Sequence, residues 1–291
     1  MTSLSPTSHR KSAMTDTQAY PDTAQTAPVE AKVEEIGPPP RARSKAWIVR
    51  LVSIAVVIGA WEFFGRQVNP LFMSSPSAIA RSAATLIASG ELLEALKSSL
   101  ATLLFGFVTA SIIGVALGLL IGRYKMVDAA TDWLVNALYS TPLVAIMPLV
   151  ILWFGLGDTA KLFIVCLLAV FPVLINTAAG VRNIPASLID VGSAFAANER
   201  QVFTKIIVPA TLPYIMTGLR LGIGRSIIGM VVAEFFTAIT GLGAMIVKYG
   251  NQYDTAAMFV PILVLMLLGV GLTALVRRAE EHFAPWRVTD D

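Results

Sequence analysis

ATLLFGFVTASIIGVALGLLIG, residues 101–122, carries no charged side chain from end to end. A run of about 20 apolar residues matches the roughly 30 Å hydrocarbon core of a bilayer when wound as a helix. Small residues recur in it at every fourth position: Gly106, Ala110, Gly114, Gly118 and Gly122. Side chains four apart share one face of a helix, so these five make a smooth stripe that lets a second backbone approach closely. The two-residue alternation of a barrel strand is absent. The stretch reads as a membrane-spanning helix with one tight packing face, against a partner the sequence does not name.

The composition extends this reading to the whole chain. Its 291 residues are 55% hydrophobic and 14% charged, with mean hydropathy +0.70. A soluble domain carries about 25% charged residues, so too few are present to coat a soluble globule of this size. Five further runs are mostly apolar, the first carrying Arg50 and Glu62 near its ends, and the predicted spans are about 47–64, 101–122, 134–154, 160–180, 218–238 and 256–276. The fold class is therefore all-α, a polytopic membrane protein with six transmembrane helices and a transmembrane domain over 46–287. Pro142 and Pro148 fall inside the third span and are predicted to kink it. Trp47, Trp61 and Trp153 fall near span ends, as interfacial aromatics do. Residues 1–45 are rich in Thr, Ser, Ala, Pro and Gln, which predicts a disordered tail. They hold no apolar h-region, so the first span itself directs insertion.

Charge sets the orientation. A net charge of +3 could suggest nucleic acid, but in a membrane protein Lys and Arg gather on the cytoplasmic side. With a cytoplasmic N-terminus, the inside flanks hold Arg41, Arg43, Lys45, Arg50, Arg123, Lys125, Arg182, Arg200, Lys205, Arg220, Arg277, Arg278 and Arg287. The outside flanks hold only Arg66, Arg81, Lys97, Lys161 and Lys248. Both termini are thus predicted to be cytoplasmic, with residues 182–217 on the same face. The single Cys166 and the remote His9 and His282 form no metal-ligand spacing and no nucleophile–base pair, which argues against a metal site or an enzyme.

Between the fourth and fifth spans lies NIPASLIDVGSAFAANERQVFTKIIVPATLP, residues 183–213. Ser187 is a possible N-cap for a short helix in which Ile189, Gly192 and Ala196 share one face and Leu188, Val191 and Phe195 the next. Ala197-Asn198 can supply a turn, and ERQVFTKIIV reads as a second short helix ended by Pro209. Two short helices joined by a tight turn make a knob on the cytoplasmic face.

This segment resembles the EAA loop of ATP-binding cassette (ABC) importer permeases. Glu-Ala-Ala of that pattern falls on Asp190-Val191-Gly192, its turn Gly on Ala196, and its Ile-x-Leu-Pro ending on Ile206, Val208 and Pro209. The departures are Asp for Glu, Val-Gly for Ala-Ala, Ala for Gly and Val for Leu. PLVAIMPLVILWFGLGDTAK (142–161), the segment 74–107, AEFFTAITGLGAMI (233–246) and EEHFAPWR (280–287) look like segments of the nitrate/sulfonate/taurine/bicarbonate permease group, in the same order.

The resemblance implies a type I ABC importer permease architecture (MetI-like) and a homodimer in the bacterial inner membrane. It implies a solute-binding protein outside and a separate ABC ATPase that uses the ATP, this chain binding no cofactor and having no Walker motif. Asp190, Val191, Gly192, Ala194, Phe195, Ala196 and Pro209 become the candidates for ATPase coupling through a cytoplasmic coupling helix. Arg225 and Glu234 carry charge inside the fifth span, at about 2.5–3.5 kcal/mol each by insertion scales. With Pro142 and Pro148 they are the candidates for a translocation pathway, Arg225 suiting an anion such as sulfonate, taurine or nitrate; packing is the alternative for both charges. An ion-driven secondary transporter or channel is the competing reading. It would normally show paired ionisable groups in mid-membrane or an inverted repeat, and no clear repeat relates the halves.

Overall fold

The computed structural model describes residues 43–283. The chain divides into two units, Met1–Arg50 and Leu51–Asp291; of the first, only the opening turns of one helix are described. The predicted disordered tail lies outside the described residues except for its last three, which begin that helix. All regular elements among the described residues are helical.

Five helices are long and apolar enough to cross a membrane: Trp47–Gln67, Glu91–Arg123, Asp158–Arg182, Glu199–Thr237 and Thr255–Glu281. The remaining pair, Lys125–Ser140 and Leu143–Phe154, passes the same test only together and is bent by 83° at its break. In chain order we number α1 Arg43–Gln67, α2 Pro76–Ala88, α3 Glu91–Arg123, α4 Lys125–Ser140, α5 Met147–Phe154 and α6 Asp158–Arg182. Next come α7 Ala186–Ala194, α8 Glu199–Val202, α9 Val208–Thr237, α10 Leu242–Asn251 and α11 Thr255–Phe283.

The small-residue stripe of α3 finds its partner in α6. A Cβ placed on Gly106 would stand 2.5 Å from Val165 Cγ1, on Gly114 2.8 Å from Val173 Cβ, on Gly118 2.6 Å from Thr177 Cβ, and on Gly122 2.6 Å from Val181 Cβ. Every partner lies 59 residues beyond its glycine, so the two helices run parallel. Helix α9 packs on α6 beside α3 with the order reversed: Gly218 meets Val173 and Gly229 meets Val165. Helix α6 is therefore the centre of a three-helix stack, and half-buried to buried along most of its length.

The third predicted span differs from expectation. Its break falls at Thr141–Pro142, followed by a 3₁₀ turn over Leu143–Ile146, whereas Pro148 sits in the first turn of α5. A proline there removes no helical hydrogen bond, so only Pro142 interrupts the path. Helix α3, the second predicted span, also begins ten residues before its apolar run. Glu91 and Glu94 in its first turn suit the positive end of the helix dipole.

At the end opposite the 183–207 loop, two short helices cap the stack. Glu62 of α1 accepts the Ser77 backbone N–H at 2.9 Å and the Ser77 hydroxyl at 2.7 Å, serving α2 as the side-chain cap that Ser75 does not provide. Ile79, Leu86, Leu92, Leu242, Met245 and Val260 form the core beneath α2 and α10.

Candidate functional site

The 183–207 segment folds as a knob, by a local chemistry that differs from expectation at three points. Pro185 occupies the N-cap position of α7, and Ser187 lies inside the helix. The turn is made by Ala196, at φ +50°, with Ala197 N–H donating to Gly192 C=O at 3.0 Å in the Schellman pattern. Asn198 is extended and caps α8: its Oδ1 accepts the Gln201 N–H and Gln201 Oε1 accepts the Asn198 N–H, both at 2.9 Å. The Asn-x-x-Gln spacing was visible in the sequence, and the αL residue two places earlier falls where the EAA pattern carries its turn Gly.

Pro209 does not end the second helix. A π-helical turn over Phe203–Ile207 widens the backbone just before it, and the chain runs on into α9 with Pro209 in the first turn. The wider turn supplies the room that the ring of Pro209 needs against the carbonyl four residues back. Knob and span thus form one nearly continuous rod.

Of the two predicted faces of α7, Ile189 and Gly192 turn inward and Leu188, Val191 and Phe195 outward, whereas Ala196, predicted on the inner face, is exposed in the turn beyond the helix. Gly192 is buried, and a Cβ there would lie 2.8 Å from Ile206 Cδ1; Ile189 packs beside it on Val181, Val202 and Ile207. Gly192 therefore belongs to the inside of the knob rather than to its contact surface. Asp190, Val191, Ala194, Phe195 and Ala196 are exposed, as is Pro209 at the base. Phe195 is 84% exposed, beside Val191 and Leu188. Ion pairs surround this end: Arg123 with Glu199 at 3.2 Å, Arg182 with Asp128, and Arg220 with Glu280.

Arg225 and Pro142 come together. A cavity of about 190 Å³ is lined by Tyr139, Thr141, Pro142, Phe171 and Arg225 among others, and a neighbouring one of about 130 Å³ by Tyr139, Pro172, Asn176 and Arg225. Arg225 is exposed midway along α9 and makes no hydrogen bond or ion pair among the described residues. Pro148 lines neither cavity. Tyr139 and Asn176, which sequence reasoning passed over, gave no signal beyond being polar groups in apolar runs.

Glu234 is used differently. It is fully buried at the far end of α9, where its carboxylate accepts the Ser99 hydroxyl at 2.6 Å and the Gly243 N–H at 2.7 Å. The same Ser99 oxygen accepts the Leu242 N–H at 2.8 Å. The first two amides of α10 are thus held by α9 and α3. Lys161 of α6, 1% exposed, donates to Thr240 Oγ1 at 2.7 Å in the loop between them. Glu234 shares no surface with Arg225, and its place is in this clamp. Beyond it, the Lys248 ammonium donates to Glu91 at 2.7 Å, and this hydrogen bond holds the Lys248 pKa above its ordinary value.

Comparison with known proteins places this arrangement. Residues 110–286 match the family model described as binding-protein-dependent transport system inner membrane component. The chain is 32% identical, over 89% of its own length and 94% of the relative's, to a Bacillus subtilis (strain 168) protein bearing the name aliphatic sulfonates transport permease protein SsuC. It is 29% identical to the taurine transport system permease protein TauC of Escherichia coli K12, over 80% of this chain and 88% of that one. Among solved structures, an inward-facing conformation of the MetNI methionine ABC transporter aligns with TM-score 0.55 at 20% identity, covering 66% of this chain and 96% of that chain.

Proposed function

Because the chain belongs to the binding-protein-dependent transport system inner membrane component family, we propose that it lines the solute pathway of an ABC importer and is driven by a separate ATPase seated on its knob. The observation that carries this is the exposed apolar face of α7. Leu188, Val191 and Phe195 project from a region otherwise ringed by ion pairs, and a contiguous apolar patch rimmed by charge marks a surface for a partner. Beneath that face, Gly192, Ile206, Val202 and Val181 pack the knob onto the end of α6. The π turn joins it without a break to α9. A push on α7 is therefore delivered to both central helices.

The ATPase partner places the knob end, and both termini with it, in the cytoplasm of the cell whose inner membrane the protein spans. The excess of basic residues at that end agrees. A solute-binding protein delivers cargo at the far end. A second copy of the chain completes the pathway by facing the Arg225 surface, because an exposed guanidinium in mid-span cannot face lipid without a penalty of about 2.5–3.5 kcal/mol. A water-filled path along Arg225, Tyr139 and Asn176 suits a small anionic solute, in keeping with relatives named for sulfonate and taurine transport.

The test is uptake into proteoliposomes holding the chain with its ATPase and solute-binding protein. Uptake of taurine, nitrate or an alkanesulfonate that requires ATP is the expected result. Uptake by the chain alone under an ion gradient overturns the proposal. Phe195→Ala is expected to release the ATPase during co-purification while the permease itself remains folded.

A further inference from the structure

We infer that Glu234 is the positioning residue through which α9 moves α10, so that α10 and its entry loop open and close the far side of the bundle in step with the knob. The inference rests on the importer reading and adds the means by which a movement at one end reaches the other.

Helix α9 runs unbroken for 30 residues, about 45 Å at 1.5 Å per residue. One end continues through the π turn into the knob; the other carries Glu234. A charged acceptor on backbone amides makes a strong cap, and releasing it would leave a carboxylate buried and unpaired. The loop also has no slack around that carboxylate. Gly241 stands at φ +103°, and a Cβ there would fall on the Glu234 carboxylate; a Cβ on Gly243 would come within 2.7 Å of Glu234 Cβ. The sequence AEFFTAITGLGAMI is thus a carboxylate and the two glycines that make room for it. A tilt of α9 must either break this cap or carry α10 along.

What α10 moves against is a cleft. A cavity of about 570 Å³ is lined by Glu91, Glu94, Ser98, Asp158, Thr240 and Lys248, among others. It therefore lies between the starts of α3 and α6 and the flank of α10. Residues in left-handed conformation stand at both ends of the unit, Ala238 at φ +47° and Tyr253 at φ +58°. These end points are where a rigid α10 would pivot. Lys161, bonded to Thr240, fixes the loop to α6 as well, so the cleft width follows the α6–α9 packing.

The experiment uses the complete complex in proteoliposomes, in a Cys166→Ser background with Ile239→Cys as reporter; Ile239 is 59% exposed in the entry loop. A membrane-impermeant maleimide reads its labelling rate with and without trapped nucleotide. In the parent complex the rate is expected to differ between the two states. Glu234→Ala is expected to erase that difference and to lower solute imported per ATP hydrolysed by about tenfold, while hydrolysis itself persists. A nucleotide-dependent rate retained in Glu234→Ala, or import and hydrolysis falling in equal proportion, overturns the inference. Ser99→Ala removes one donor and keeps the charge, and decides by the same criteria if Glu234→Ala does not assemble. A parent complex that imports nothing on ATP is a failure of the importer reading, seen before any clamp variant is compared.

Discussion

Ala196 shows how a single side chain holds strain inside a working part. An L-residue in the left-handed region costs about 1–2 kcal/mol relative to glycine, and the position is the one where the EAA pattern carries Gly. Ala196→Gly is expected to stabilise the knob by about 1 kcal/mol, after the entropy a glycine adds to the unfolded chain is deducted. Slower amide exchange over α7 would register the gain, and faster exchange would show that the turn is unstrained. Asn198 works the other way: its capping box satisfies two amides that have no helical partner, and Asn198→Ala should lose about 1 kcal/mol by the same measurement. At Arg225 the issue is charge. Arg225→Gln is expected to lower import of taurine and nitrate by about tenfold, the loss of one charge-assisted contact, while Arg225→Lys keeps the cation and part of the rate. Equal import by wild type and Arg225→Gln would return Arg225 to a packing role.

The elements differ in how openly the sequence announces them. The glycine stripe of α3 was legible because its spacing is a helical one, but its partner was not, since α6 answers with Val165, Val173, Thr177 and Val181, residues any apolar helix could carry. Helices α2 and α10 were passed over because they are short and half polar, and hydropathy alone does not separate them from loops. Their caps come from Glu62 and Glu234, 15 and nine residues away and read as isolated charges until the fold brings them back. The π turn before Pro209 leaves no sequence signature beyond the proline itself. The stripe makes a sharp prediction. Gly118→Leu must displace Thr177 and the Leu174 carbonyl, which a Cβ alone would already approach to 2.7 Å, and overpacking of this kind costs about 1–3 kcal/mol. Gly271→Ala in α11 meets nothing within 4 Å and should gain up to about 1 kcal/mol, the order expected from helix propensity. Thermal unfolding of the purified protein in detergent separates the two.

For the whole molecule, the constant offset between α3 and α6 decides how many times the chain crosses the bilayer. Parallel neighbours require that the residues between them, 124–157, return across the full thickness. The only material available for this is α4, the turn at Pro142 and α5, broken by 83°. If that pair merely dipped into the membrane and came back, α6 would enter from the side where α3 ended and would run antiparallel to it, and Gly106 would face the end of α6 rather than Val165 near its start. A crossing by the broken α4–α5 pair, beside the five helices long and apolar enough to cross, follows from this packing; on the importer reading, the excess of Lys and Arg assigns the 183–207 end to the cytoplasm. Impermeant thiol reagent applied to intact cells tests this at four exposed positions in a Cys166→Ser background. Leu156→Cys and Ile239→Cys are expected to label, and Met126→Cys and Ser193→Cys to label only after permeabilisation. Labelling of Met126→Cys and Leu156→Cys from the same side would mean that α4 and α5 do not cross, and the parallel packing of α3 on α6 would have to be abandoned with them.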